Sequence, residues 1–149
     1  MTGRRSINIK YFAYGSNMSS KRLKERIPTA ELITTGMLKN YSFTCNKIGG
    51  SNTCYANIEY NQDSQVYGVV YQLKPEDFNI LDRYEGNYQR VEVEIETGSE
   101  KIRAQTYISD YTAENLQVED WYQAHIINGA KEHQLPSEYI QILKEELDL

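Results

Sequence analysis

The chain has 149 residues and a formal net charge of −5. That length suits a single domain, 1–149, with a real core, and the charge argues against a nucleic-acid or anionic-membrane partner, which would need a basic patch. No apolar run approaches the roughly 20 residues that span a bilayer.

Residues 7–14 read as a buried strand that stops at Gly15. Ser19 or Ser20 can cap a short helix through Arg26, which Pro28 terminates. Its Lys21-Arg22-Lys24-Arg26 cluster, interrupted by Glu25, reads as a solvated helix face. Strands are expected over 31–37 and 41–47, the second alternating Tyr41, Phe43 and Cys45 against Ser42, Thr44 and Asn46. Gly49-Gly50-Ser51-Asn52 is a turn, 53–60 a further strand, and Asn61-Gln62-Asp63-Ser64 a loop. Val66–Leu73 is a near-continuous apolar run of the kind found in central strands, with Gly68 marking close packing or a bend.

Pro75 opens a second helix, with Glu76 and Asp77 at its positive end, Phe78, Leu81 and Tyr84 at helical spacing, and Gly86 ending it. Tyr88–Thr97 alternates strictly, and Thr97-Gly98-Ser99-Glu100 turns it back into 101–109 as a hairpin. Beyond Thr112 the chain turns helical. Val118, Trp121, Tyr122, His125 and Ile126 form an apolar stripe that Asn128-Gly129 stops. A last helix follows Leu135-Pro136 to about Leu147, with Tyr139, Ile140, Leu143 and Leu147 inward. The pattern is α+β: a small mixed β-barrel of about six to seven strands flanked by helices.

Arg4 and Arg5 precede no apolar signal region, so a cytoplasmic location is expected. Cys45 and Cys54 fall on neighbouring strands, where a disulfide is geometrically possible but buried thiols are favoured in a reducing compartment. His125 and His133 stand eight residues apart with no carboxylate or thiol at ligand spacing, so no metal is expected. Tyrosine is abundant, 13 against three Phe and one Trp, which suits a pocket or a homodimer interface needing ring area together with a hydroxyl.

Two stretches can carry chemistry. Tyr14-Gly15-Ser16-Asn17 joins a strand to a helix, a geometry that turns backbone N–H groups toward one point, where a carboxylate, phosphate or oxyanion can sit. The same residues also serve as plain turn and cap residues in many proteins. Glu85 sits at the end of the second helix, where the dipole disfavours a carboxylate and Tyr84 and Tyr88 can exclude water. Both effects raise its pKa toward neutrality, where a general base works best. The alternative is an exposed glutamate with no role.

Together these stretches resemble the gamma-glutamylcyclotransferase family, through Tyr14-Gly15-Ser16-Asn17, Asp82-Arg83-Tyr84-Glu85-Gly86 and Tyr88. Val66-Tyr67-Gly68-Val69-Val70-Tyr71 is similar to the family's central strand, and Gly129-Ala130-Lys131-Glu132 with Leu135-Pro136 and Tyr139 to its C-terminal stretch. The resemblance implies a cofactor-free enzyme, of lyase or acyltransferase type, that cyclises a small-molecule gamma-glutamyl amide to 5-oxoproline and a free amine. It further implies Glu85 as general acid/base, Gly15, Ser16 and Asn17 holding the glutamyl group after Tyr14, and Tyr88, Tyr107 and Tyr122 as pocket tyrosines. The two residues between Glu85 and Tyr88 make that segment shorter than in the animal enzymes. The Gly/Asn-rich stretch around 46–56 also departs from them, and the chain ends soon after the last helix. Compact members of this kind also remove a gamma-glutamyl group from natural products. Asn17 argues against the glutathione-specific branch, which has Leu there. A non-catalytic binder of gamma-glutamyl or carboxylate ligands on the same fold is the runner-up. A Ser16 hydrolase lacks the Gly-x-Ser-x-Gly elbow.

Overall fold

The computed structural model describes residues 8–149. Arg4, Arg5 and the first residue of the expected opening strand, Ile7, lie outside them. Five strands, β1 (Ile9–Ala13), β2 (Glu31–Ile48), β3 (Cys54–Leu73), β4 (Gln89–Thr97) and β5 (Glu100–Ile108), close a barrel in the order β1-β3-β2-β4-β5. Neighbours are antiparallel except where β5 meets β1 in parallel at Tyr11 and Gln105. Four helices flank it: α1 (Ser20–Arg26), α2 (Pro75–Tyr84), α3 (Asp120–Glu132) and α4 (Ser137–Glu146). The α+β barrel is as expected, but the strand number is five.

The difference has one physical source. Asn40 adopts a left-handed φ of 66° and is absorbed as an irregularity between Lys39 and Tyr41, so 31–37 and 41–47 belong to one strand. Opposite it, Asp63 also has a φ of 66°, and its backbone N–H donates to Asn40 Oδ1 at 3.2 Å. The polar run 61–64 is thus the solvated part of β3 rather than a loop. Polar composition resembles a loop whenever a strand passes through water on both faces. Bulges of this kind also bend and twist a ribbon, which helps it to close.

Phe12, Val69, Val70, Tyr71, Phe78, Leu81, Ile95, Ile126 and Leu143 are buried in the core. Each large apolar side chain contributes about 1.5–3 kcal/mol on burial. Gly68 lies flat against Ala13 and Phe12, the close packing foreseen for it. Helix α1 is capped by Ser19, whose Oγ accepts from Arg22 N at 3.3 Å. Helix α2 starts at Pro75, and the Asp77 carboxylate accepts from Lys74 N at 3.1 Å. Its far end is not a glycine cap: the left-handed residue is Asn87, at φ 66°, two residues after Glu85.

Helix α3 runs through Asn128-Gly129 to Glu132 instead of stopping there. A Cβ on Gly129 would lie 2.6 Å from Ser19 N and 2.7 Å from Met18 C. The glycine therefore allows the backbone turn after β1 to pack on the helix. Cys45 and Cys54 are both free thiols. Among the described residues, no helix is long and apolar enough to cross a membrane.

Candidate active site

One end of the barrel opens into a cavity of about 480 Å³. Tyr14, Gly15, Ser16, Asn17, Glu85, Tyr88, Tyr107 and Tyr122, all eight positions singled out in the sequence, line it. They arrive from four directions: the end of β1 with the following 3₁₀ turn (Ser16–Met18), the end of α2, β5 and α3. Gly15 has a φ of −113°, so it is not needed for a left-handed conformation. It eases a close approach instead, because a Cβ there would lie 3.0 Å from Ala56 Cβ, tighter than ordinary contact.

Glu85 caps the C-terminus of α2. Its N–H donates to Leu81 O at 3.0 Å, and its own carbonyl accepts from Tyr88 N at 3.1 Å. Ser109 Oγ donates to Asn87 O at 2.7 Å, which ties the short Glu85–Tyr88 turn to the end of β5. With its backbone fixed, the Glu85 carboxylate takes a hydrogen bond from Asn17 Nδ2 at 3.4 Å, and the same amide nitrogen donates to Tyr11 OH at 3.1 Å. Asn17 Oδ1 is left buried without a partner. Local polar dissatisfaction of this kind is characteristic of functional positions.

Burial raises the Glu85 pKa from 4.5 to about 7. Arg26, Lys47 and Arg22 oppose the rise, and Asp82 adds to it. The direction is that expected from sequence; Tyr88 is half-buried beside Glu85, while Tyr84 lines the cavity at its exposed edge. Its side chain is 54% exposed and lies under the Arg26 guanidinium, 4.5 Å from the ring centroid.

The tyrosines are bound into the protein. Tyr14 OH donates to Tyr107 O, Tyr107 OH to Asp82 Oδ1 and Tyr88 OH to Ala56 O, each at 2.6 Å. Tyr122 OH differs: it accepts from Ala56 N at 2.9 Å, leaving its own proton for another acceptor. Burial pushes all four hydroxyls well above the usual tyrosine range, so they remain protonated and none can act as a base near neutrality.

Sequence reasoning missed the cations. Arg22 and Arg26 were read as part of a solvated face, yet both line the cavity, as does Lys47 from β2. Arg22 Nε donates to Ser16 Oγ at 3.0 Å, and its guanidinium lies 5.4 Å from the Trp121 ring centroid. Trp121, placed in the α3 stripe, is 47% exposed at the rim. The four-residue spacing of Arg22 and Arg26 puts them on one helix face, the one signal that could have found them. Neither histidine hydrogen-bonds to Ser16: His133 Nε2 sits 3.1 Å from Ser20 Oγ, and His125 packs beside Trp121. No cluster of metal-ligating side chains occurs among the described residues.

A closed barrel with an acid at a helix end, facing a Gly-Ser-Asn turn, defines a class. Residues 65–143 match the AIG2-like family. Over 97% of this chain and 81% of the relative, the sequence is 32% identical to human gamma-glutamylcyclotransferase, and over 90% and 76% it is 30% identical to the mouse protein of the same name. A solved structure named gamma-glutamyl cyclotransferase superposes with a TM-score of 0.84 at 28% identity, covering 93% of this chain and 87% of the other. The chain belongs to the gamma-glutamylcyclotransferase family.

Proposed function

We propose that this protein cyclises a gamma-glutamyl amide to 5-oxoproline and releases the amine. The observation that carries the reading is Glu85: a carboxyl brought to a pKa of about 7 in the cavity, beside the Gly15–Asn17 turn. A group half-ionised at neutral pH can both accept and return a proton.

In this mechanism the substrate supplies its own nucleophile. Ionised Glu85 takes a proton from the substrate's α-ammonium. The freed amine attacks the γ-carbonyl carbon, forming the ring C–N bond and a tetrahedral oxyanion. Collapse breaks the original amide C–N bond as protonated Glu85 gives its proton to the departing nitrogen. The ring nitrogen, positively charged since the attack, sheds its second proton, which the released amine takes up to leave as an ammonium. No water is consumed, and the carboxylate is restored. Asn17 Nδ2 orients Glu85, while the leading N–H groups of the 3₁₀ turn, which have no partner within it, hold the glutamyl group. Tyr122 is the one tyrosine of the four whose hydroxyl proton is free to reach a substrate oxygen. Tyr14, Tyr88 and Tyr107 supply rigid walls that hold the glutamyl chain folded back on itself, an entropic contribution to the rate.

Incubation with a panel of gamma-glutamyl amino acids and amines, following 5-oxoproline by mass spectrometry, tests this directly. Product that disappears in Glu85→Gln is expected. Gamma-glutamyl compounds bound unaltered by the intact protein would leave only a binding function. The same reading places the protein in the cytoplasm as a single-domain enzyme acting on a small molecule. A homodimer belongs to that reading too and is tested by sedimentation.

A further inference from the structure

Lys47 is 7% exposed, yet no carboxylate lies within 4 Å of its ammonium among the described residues. It sits between two rings, 5.3 Å from the Tyr55 centroid and 5.1 Å from that of Tyr88, at the wall of the Glu85 cavity. Its backbone is fixed, since Lys47 bridges Thr112 and the next N–H, of Ile48, donates to Tyr111 O at 3.0 Å. Aromatic rings flank the ammonium on two sides, and the side chain lines the cavity. Rarely is a lysine buried to this degree without a carboxylate in direct contact; the charge acting on it is Glu85, across the cavity.

The charge of the site points the same way. Arg22, Arg26, Arg83 and Lys47 line the cavity with one carboxylate, Glu85, and none of the three arginines makes an ion pair within the described residues. A gamma-glutamyl group brings one ammonium and one carboxylate, so it leaves the surplus unchanged. Arg22 is tied to Ser16 in the turn assigned to the glutamyl group. Lys47 reaches the cavity from a different element, β2.

Resting on the cyclotransferase reading, we propose that Lys47 is a specificity-determining residue that binds an acidic group on the amine half of the substrate. Gamma-glutamyl amides of acid-bearing amines are then preferred over those of neutral or cationic amines.

The decisive comparison uses gamma-glutamyl-glycine and gamma-glutamyl-glycinamide, which differ in one charge and little in size. The wild-type enzyme is expected to favour the acid at least tenfold in kcat/KM, mainly through KM. Lys47→Met should bring the ratio close to one, and Lys47→Arg should restore part of it. A ratio near one in the wild type, or one unaltered by Lys47→Met in protein shown to be folded by thermal melting, overturns the proposal. Calorimetric binding of both compounds to Glu85→Gln reads the same preference without turnover. Loss of 5-oxoproline formation from every substrate would therefore sink the reaction while the binding ratio still decides the role of Lys47. If Lys47→Met does not fold, Lys47→Gln replaces it.

Discussion

Glu85 couples activity and stability to pH in opposite senses. Its folded pKa is about 7 against an ordinary 4.5, so the folded state holds a proton that the unfolded state has already lost across that window. Stability therefore falls as pH rises from 4.5 through 7, by on the order of 2 kcal/mol after allowing for solvent at the cavity mouth. Glu85→Gln removes this dependence. Its melting temperature relative to wild type should climb by roughly 4–8 °C between pH 5 and pH 8. A difference that stays constant across that range would show that the carboxyl is not desolvated. Over the same interval wild-type turnover should rise, about tenfold per pH unit below 7, because the base form is the active one. At this scale the sequence was informative: a carboxylate at a helix terminus before glycine is locally unfavourable, and such violations are visible without coordinates. The free Tyr122 proton was not visible, because it depends on which strand presents Ala56 N.

Among elements, the joint between α3 and the 3₁₀ turn governs the geometry of the site. In an ordinary helix interior, replacing glycine by alanine gains about 0.5–1 kcal/mol. Position 129 reverses the sign, since the added methyl meets the backbone of Met18 and Ser19 rather than a movable side chain. Gly129→Ala should cost about 1–3 kcal/mol, as overpacking does. By displacing the turn that carries Asn17, it should also lower kcat at least tenfold. Melting curves and steady-state kinetics on the same preparation check both parts; a stabilised, fully active variant would show that the contact is soft. Helical periodicity found α3, but it began the helix beyond Thr112, where the structure begins it at Asp120, and it treated Asn128-Gly129 as a stop. A glycine that ends a helix and a glycine that admits another backbone look alike in sequence.

Over the whole molecule, the barrel was legible as a class and not as a strand count. Alternation in 88–97 and 101–109 made that hairpin plain. Asn40 and Asp63 carried the signature of turns, while the structure uses them as paired irregularities in one long ribbon. The amides of 59–65, which lie in its mostly exposed stretch, should exchange with solvent faster than those of Val69–Tyr71, which are fully buried and should exchange near the global unfolding limit. Equal protection along β3, read by hydrogen-exchange mass spectrometry, would contradict this. The spacing of Arg22 and Arg26 shows a shared helix face but not that it meets a cavity, and Lys47 carried no signal at all, for a related reason. Only closure of the barrel decides which side of a basic helix or strand faces a cavity, and nothing in local spacing records closure.

Tyr14, Tyr88 and Tyr107 give their hydroxyl protons to the protein and turn ring surface to the cavity. Such walls make few chemical demands on a guest. The part of the site that handles the proton is fastened through α2, α3 and the turn after β1, whereas Lys47 and Tyr55 come from the β2–β3 ribbon. Substitutions on that ribbon can therefore retarget the enzyme to another amine without disturbing its acid. Divergence of substrate among descendants of this scaffold should accumulate at positions such as 47 and 55, with Glu85 and its asparagine left as they are.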